Sequence, residues 1–115
     1  MKEIAALRDA YRRDKAAVLQ SLTTTGASTR GVQRALRQHA ELVDDLLTAL
    51  WRKAGFSSDL CLAAVGGFGR GELFPASDVD VLVLLPDGQS PESTPGLQAQ
   101  LEAFIGSCWD TGLEI

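Results

Sequence analysis

The sequence predicts an α+β fold: an N-terminal helical pair packed near a small, incomplete mixed sheet. Three observations predict it. Apolar residues recur at helical spacing up to about residue 54. Beyond that point the chain turns to short apolar and β-branched runs closed by glycine or proline. The length, 115 residues, suits one small domain with a real core. Residues 1–57 form the helical region and residues 58–115 the sheet-bearing region.

The first helix runs from Glu3 to about Leu22. Ile4, Leu7, Tyr11, Val18 and Leu22 share one stripe, with Arg8, Arg12, Arg13 and Lys15 beside it as a solvated face. Thr23 to Ser28 breaks it, and Ser28 or Thr29 can cap the next helix. The second helix, about Thr29 to Ala54, carries Val32, Ala35, Leu36, His39, Val43, Leu46, Leu47, Leu50 and Trp51 at i, i+3, i+4 spacing. Arg52 and Lys53 sit in its last turn, where cations offset the helix dipole, and Gly55 is a good residue just past its end. A short polar loop between two amphipathic helices predicts an antiparallel pair.

Leu60 to Val65 reads as a buried strand that stops at glycines. Gly66 to Ser77 is a glycine-rich turn with a helical turn expected near Gly71 to Phe74. Val79 to Leu85 is a second strand, ended by the Pro86-Asp87-Gly88 turn. A polar loop runs through Pro95. Leu97, Leu101, Phe104, Ile105 and Cys108 mark a third helix, with Gly112 past its end. Leu113-Glu114-Ile115 reads as the start of another strand. Trp51 and Trp109 are expected as core anchors, Cys61 as a small strand hydrophobe, and His39 as a packed histidine, not a ligand.

Composition excludes several classes. Hydrophobic residues make up 45% and charged residues 23%, which fits neither a disordered tail nor a disulfide-stapled miniprotein. Cys61 and Cys108 form no Cys-x-x-Cys motif and read as reduced thiols of a cytoplasmic protein. The N-terminus lacks the apolar stretch of a signal peptide, and no apolar run approaches a membrane span. Net charge is -4 but uneven: residues 1–53 hold 10 basic against 6 acidic side chains, residues 54–115 hold 1 against 9. The acidic half argues against nucleic acid as a partner and suits a site that gathers divalent cations.

One constellation carries chemistry: Val65-Gly66-Gly67-Phe68-Gly69-Arg70-Gly71-Glu72-Leu73-Phe74-Pro75-Ala76-Ser77-Asp78-Val79-Asp80-Val81. Alternate residues of a strand face the same way, so Asp78 and Asp80 project together and can share cations. Magnesium favours such hard oxygen ligands, completing its shell with water and phosphate. Gly66, Gly67, Gly69 and Gly71 permit close approach, and amides freed in such a turn can hold phosphate oxygens. Arg70 is the one basic residue after Lys53. Its fork suits a phosphate or an internal carboxylate such as Glu72. Ser77 can cap the turn or steady the acids. The glycine spacing fails the dinucleotide fingerprint in both registers, and no Gly-Lys-Ser/Thr follows, so this is not a P-loop.

Gly66-Gly67, ten residues, then Asp78-Val79-Asp80-Val81 resembles the signature of the DNA polymerase β-like nucleotidyltransferase superfamily. The longer string from Gly66 to Asp80, with Trp109 to Ile115, is similar to the bacterial family of bifunctional uridylyltransferase/uridylyl-removing enzymes that modify the nitrogen-regulatory PII protein. The resemblance implies a nucleotidyltransferase-type sheet and a Mg2+-dependent transfer of UMP from UTP to a tyrosine of PII. It implies Asp78 and Asp80 as catalytic metal ligands, with Gly66, Gly67, Arg70 and Ser77 around the nucleotide. The superfamily's third carboxylate lies on a later strand, and the family's hydrolase and ligand-sensing domains lie further on. The chain is therefore expected to be an N-terminal fragment, inactive alone. Two rival readings are an adenylyltransferase-like branch and a degenerate nucleotide-binding regulatory module; the latter would bind nucleotide without releasing pyrophosphate.

Overall fold

A computed structural model describes residues 2–24, 28–71, 73 and 78–115. In chain order the elements are α1 (Lys2–Thr24), α2 (Thr29–Ala54), β1 (Cys61–Ala64), the single-turn α3 (Gly66–Gly69), β2 (Val81–Leu84) and α4 (Leu97–Asp110). The class is α+β, as the sequence predicts. The sheet has two strands, paired antiparallel with Cys61 opposite Leu84 and Ala64 opposite Val81.

Local chemistry sets the helix ends. The Ser28 hydroxyl accepts from the Gly31 amide at 3.0 Å, a side-chain cap on α2. Gly55, in the left-handed region, closes the other end with its amide on the Arg52 carbonyl. Beyond α4, the Leu113 amide reaches the Cys108 carbonyl and the Gly112 amide the Trp109 carbonyl. That is the paired bonding of a Schellman motif, and it turns Leu113 back into the core.

The helical pair is antiparallel. Lys53 pairs with Glu3 at one end of the pair, and Tyr11 meets His39 further along. The basic side chains of α1 behave as a solvated face: Arg8 and Arg13 make exposed contacts with the adjacent Asp9 and Asp14, which contribute little. Lys15 sits 5.7 Å over the Tyr11 ring.

One core joins the helices to the glycine- and acid-bearing segment. Val43, Leu46, Leu47 and Leu50 of α2 pack with Tyr11, Phe104 and Cys108, and with Phe68, Leu73, Val79 and Leu113. Trp51 stacks on Phe56 at 4.0 Å and meets Phe104 edge-on at 5.4 Å. The Gln100 side chain of α4 donates to the Ala54 carbonyl at 2.8 Å, satisfying one orphan acceptor at the end of α2. Burial pushes the Cys108 thiol up to about 12, so it stays protonated and inert.

The structure corrects three expectations. Trp109 is not a core anchor: it is 61% exposed, because α4 buries the stripe of Leu97, Phe104 and Cys108 and Trp109 lies off it. Cys61 is exposed, and β1 is not a buried strand. Only one sheet face, with Leu62 and Val81, packs on the core; Leu82 and Leu84 stay about half exposed on the other. A helical turn not expected from the sequence follows β1 at Gly66–Gly69; the one expected near Gly71 to Phe74 falls largely outside the described residues. Leu113-Glu114-Ile115 forms no strand, although Glu114 accepts a backbone bond from Val79.

His39 is packed as predicted and is 2% exposed. A carbonyl can only accept, so Nδ1–H donates to the Leu73 carbonyl at 3.1 Å. Nε2 of the neutral ring then accepts from the Tyr11 hydroxyl at 3.3 Å. Burial lowers the His39 pKa below its ordinary 6.5; the Leu73 bond opposes this and the Lys15 charge adds to it. The unfolded chain therefore takes up the proton first as pH falls. The stabilisation from neutral His39 is complete above about pH 6.5 and is lost progressively below it. In urea titrations from pH 7.5 to 5, the stability gap between wild type and His39→Asn should narrow as pH falls; titrating carboxylates common to both cancel.

Candidate active site

Strand alternation sorts the residues around the acid pair. Val79 is buried and its amide donates to the Glu114 carbonyl at 2.7 Å, which fixes it inward. Asp78 and Asp80, on either side, are exposed. The pattern continues through β2, where Val81 and Val83 are half-buried and Leu82 and Leu84 exposed. Asp80 therefore shares the open face of the sheet with Leu82 and Leu84.

Antiparallel pairing brings the glycine turn to these acids. The Val65 amide donates to the Asp80 carbonyl at 3.0 Å, carrying the ladder one residue past Ala64 and Val81. Gly66 follows at once, with φ +62. A Cβ there would stand 2.9 Å from Oδ2 of Asp80, closer than real Cβ atoms come. Two requirements thus coincide at Gly66: a left-handed backbone and room for the carboxylate.

The turn itself is anchored. Phe68 is buried in the core. The Gly69 amide donates to the Val65 carbonyl at 3.0 Å, and a Cβ on Gly69 would come 2.7 Å from the Ala64 carbonyl oxygen. The Arg70 amide bonds back to the Gly66 and Gly67 carbonyls, both at 3.2 Å. Such a turn leaves its first N–H groups, at Gly66 and Gly67, without intrahelical partners.

Of the predicted site residues, Gly66 and Gly67 open α3, Arg70 follows it on the surface, and Asp78 and Asp80 are both exposed just before β2, with Asp80 continuing the ladder. Ser77 and Glu72 lie outside the described residues. The cavity of about 290 Å³ beneath the sheet is lined by Leu47, Trp51, Leu62, Phe68 and Val81 among others, and not by either acid. Sequence reasoning missed the Gly66–Asp80 approach; the strand pairing that creates it carries no local signal. It also left His39 without a task beyond packing.

Two carboxylates among exposed backbone suit a hard divalent cation that takes its remaining ligands from water and phosphate. Among the described residues no group of three or more His, Cys, Asp or Glu could make an all-protein cage. The donor set fits magnesium bound together with a nucleotide.

The family model "Nucleotidyltransferase domain" matches residues 43–112. The chain belongs to the nucleotidyltransferase family. Three relatives are each named "Bifunctional uridylyltransferase/uridylyl-removing enzyme". The protein from Chromobacterium violaceum is 44% identical over 91% of this chain and 12% of its own length. That from Aromatoleum aromaticum is 50% identical over 70% of this chain and 9% of its own. That from Burkholderia mallei is 57% identical over 63% of this chain and 8% of its own. The chain thus spans about an eighth or less of these curated relatives. No solved structure matches. Among the described residues no helix is long and apolar enough to cross a membrane.

Gly66→Ala should destabilise the chain by about 1–3 kcal/mol in urea unfolding, from strain at positive φ plus displacement of Asp80. Gly71→Ala, also at positive φ but with open space around its Cβ, should lose only the strain part, about 1 kcal/mol. In an Asp80→Ala background the cost of Gly66→Ala should fall towards that of Gly71→Ala, a coupling read by the double-mutant cycle.

Proposed function

We propose that this chain carries the nucleotide-binding part of a cytoplasmic, magnesium-dependent uridylyltransferase, which moves UMP from UTP to a tyrosine of the PII signal protein. The observation that carries the reading is the closeness of Gly66 to the Asp80 carboxylate, whose Oδ2 lies 2.9 Å from where a Cβ on residue 66 would stand. That closeness supports a reading in which the amide-lined turn and the exposed acid pair act on one triphosphate. The family match supports nucleotidyl transfer, and the relatives' names, uridylyltransferase, support the uridylyl group.

In this reading Asp78 and Asp80 hold the cation from the open face of the sheet. The amides of Gly66 and Gly67 receive phosphate oxygens, Arg70 adds charge to the same anion, and Ser77 steadies the acids. Magnesium held by Asp78 and Asp80 would supply charge neutralisation for the triphosphate. The acceptor hydroxyl bonds to the α-phosphorus, the bond to the bridging oxygen breaks, and pyrophosphate leaves with the hydroxyl proton released. The chain's own contribution is positioning. Residues 58–115 carry the site and residues 1–57 brace it. The uridylyl-removing hydrolysis belongs to parts of the relatives that this chain does not span.

Binding is the direct test, read by the shift in melting temperature with UTP and Mg2+. Wild type should gain stability only when both are present, and ATP should give a smaller shift. Asp78→Asn and Asp80→Asn should each lose the shift. Without ligand they should melt at or slightly above the wild-type temperature, since each removes like-charge repulsion. An undiminished shift in both variants overturns the metal role, and equal shifts with UTP and ATP overturn the choice of base.

A further inference from the structure

We infer that His39 is a positioning residue for the nucleotide site: its Nδ1–H holds the carbonyl of Leu73, which lies in sequence between the glycine turn and the acid pair, and so anchors that residue to the helical pair. The inference rests on the function proposed above.

The connection runs from Gly71 to Asp78, and Leu73 is its described point. The Leu73 side chain is 1% exposed, so it sits in the core. A side chain in a packed core can still rotate its peptide plane; a directed bond to the carbonyl restrains that rotation. His39 supplies the bond from below, at 3.1 Å. Its ring is held in turn by the Tyr11 hydroxyl at 3.3 Å. The path thus passes from α1 through α2 to the site segment in two hydrogen bonds, all within buried groups.

Tyr11 and His39 lie outside the family match, which begins at residue 43. Tyr11 belongs to α1 and His39 to the part of α2 that precedes residue 43, whereas Leu73 lies within the match. The bracing is therefore a device the N-terminal helices add to the transferase segment. Packing alone would not need it, since a leucine or phenylalanine would fill the same buried space without requiring two matched partners. Burying imidazole carries a desolvation cost that the two bonds offset.

Two isosteric changes separate positioning from packing. In His39→Asn the amide nitrogen is attached to Cγ, as Nδ1 is, and keeps a donor for Leu73. In His39→Gln the amide extends towards Tyr11 and the Leu73 bond is lost. Tyr11→Phe removes only the far bond. Hydrogen exchange is followed at the Val65 and Val79 amides, whose bonds to Asp80 and Glu114 report the site strand. Binding of MgUTP is measured alongside.

His39→Gln should speed exchange at both amides roughly tenfold and weaken MgUTP binding roughly fivefold or more. His39→Asn should stay within about twofold of wild type on both readouts, even where its melting temperature falls. Tyr11→Phe keeps the Leu73 bond but releases the far side of the ring, so it should lose less than His39→Gln on both readouts; a loss as large as that of His39→Gln overturns the assignment of the role to the Leu73 bond. Equal losses in Asn and Gln variants, tracking their melting temperatures, overturn the inference. In the unaltered protein, nitrogen–proton correlation of the imidazole should show the Nδ1–H tautomer; the Nε2–H tautomer overturns it without any variant. Wild type that fails to bind MgUTP sinks the proposed function alone, and the exchange pattern still decides whether His39 anchors the segment.

Discussion

A strand that must be half core and half water governs this molecule. Val79 is drawn inward by apolar burial and tied by its amide to Glu114. Because side chains alternate, that single inward residue forces Asp78 and Asp80 outward together. The antiparallel ladder then extends to Val65 and Asp80, which delivers the glycine turn to the acids. If Val79 slipped by one residue, both carboxylates would enter the core and both valines beside them would leave it. Register is therefore as strongly enforced here as anywhere in the chain, and the site inherits that precision from the core.

The glycines complete what the register begins. Gly69 lets α3 lie against the Ala64 carbonyl, Phe68 plugs it into the core, and Gly66 leaves space for the Asp80 carboxylate. A turn fixed at three points can present its amides without adjustment when an anion arrives, which lowers the ordering cost of binding. The helical pair takes part at a distance through His39 and Leu73.

Much of this was legible in the sequence, for a physical reason. Helix limits depend on neighbours a few residues away, so Ser28, Gly55 and the periodicity of α2 could be read directly. The alternation of Asp78, Val79 and Asp80 is equally local. What could not be read depends on distant partners. The approach of Gly66 to Asp80 follows from which strands pair, and the bond from His39 to Leu73 joins residues 34 apart. Trp109 and Cys61 misled because apolar type predicts burial only when some element covers the residue. An apolar run like that of β1 reads as buried on both faces, yet the packing here covers one.

The open face has an electrostatic consequence. Residues 54–115 hold nine acidic side chains and one basic one, Arg70, so this half of the chain has little cationic charge of its own to set against Asp78 and Asp80. Two like charges on one strand face repel, and solvent moderates that repulsion only while the pair stays exposed. Burying them beneath a nucleotide triphosphate would add four more negative charges or nearly so to the same place. Such a complex can form only if cations enter with the nucleotide. Under the proposed function, the acidic balance of this half would make nucleotide and divalent cation mutually dependent ligands: each should bind weakly alone and tightly in the other's presence, by the same coupling factor in both directions.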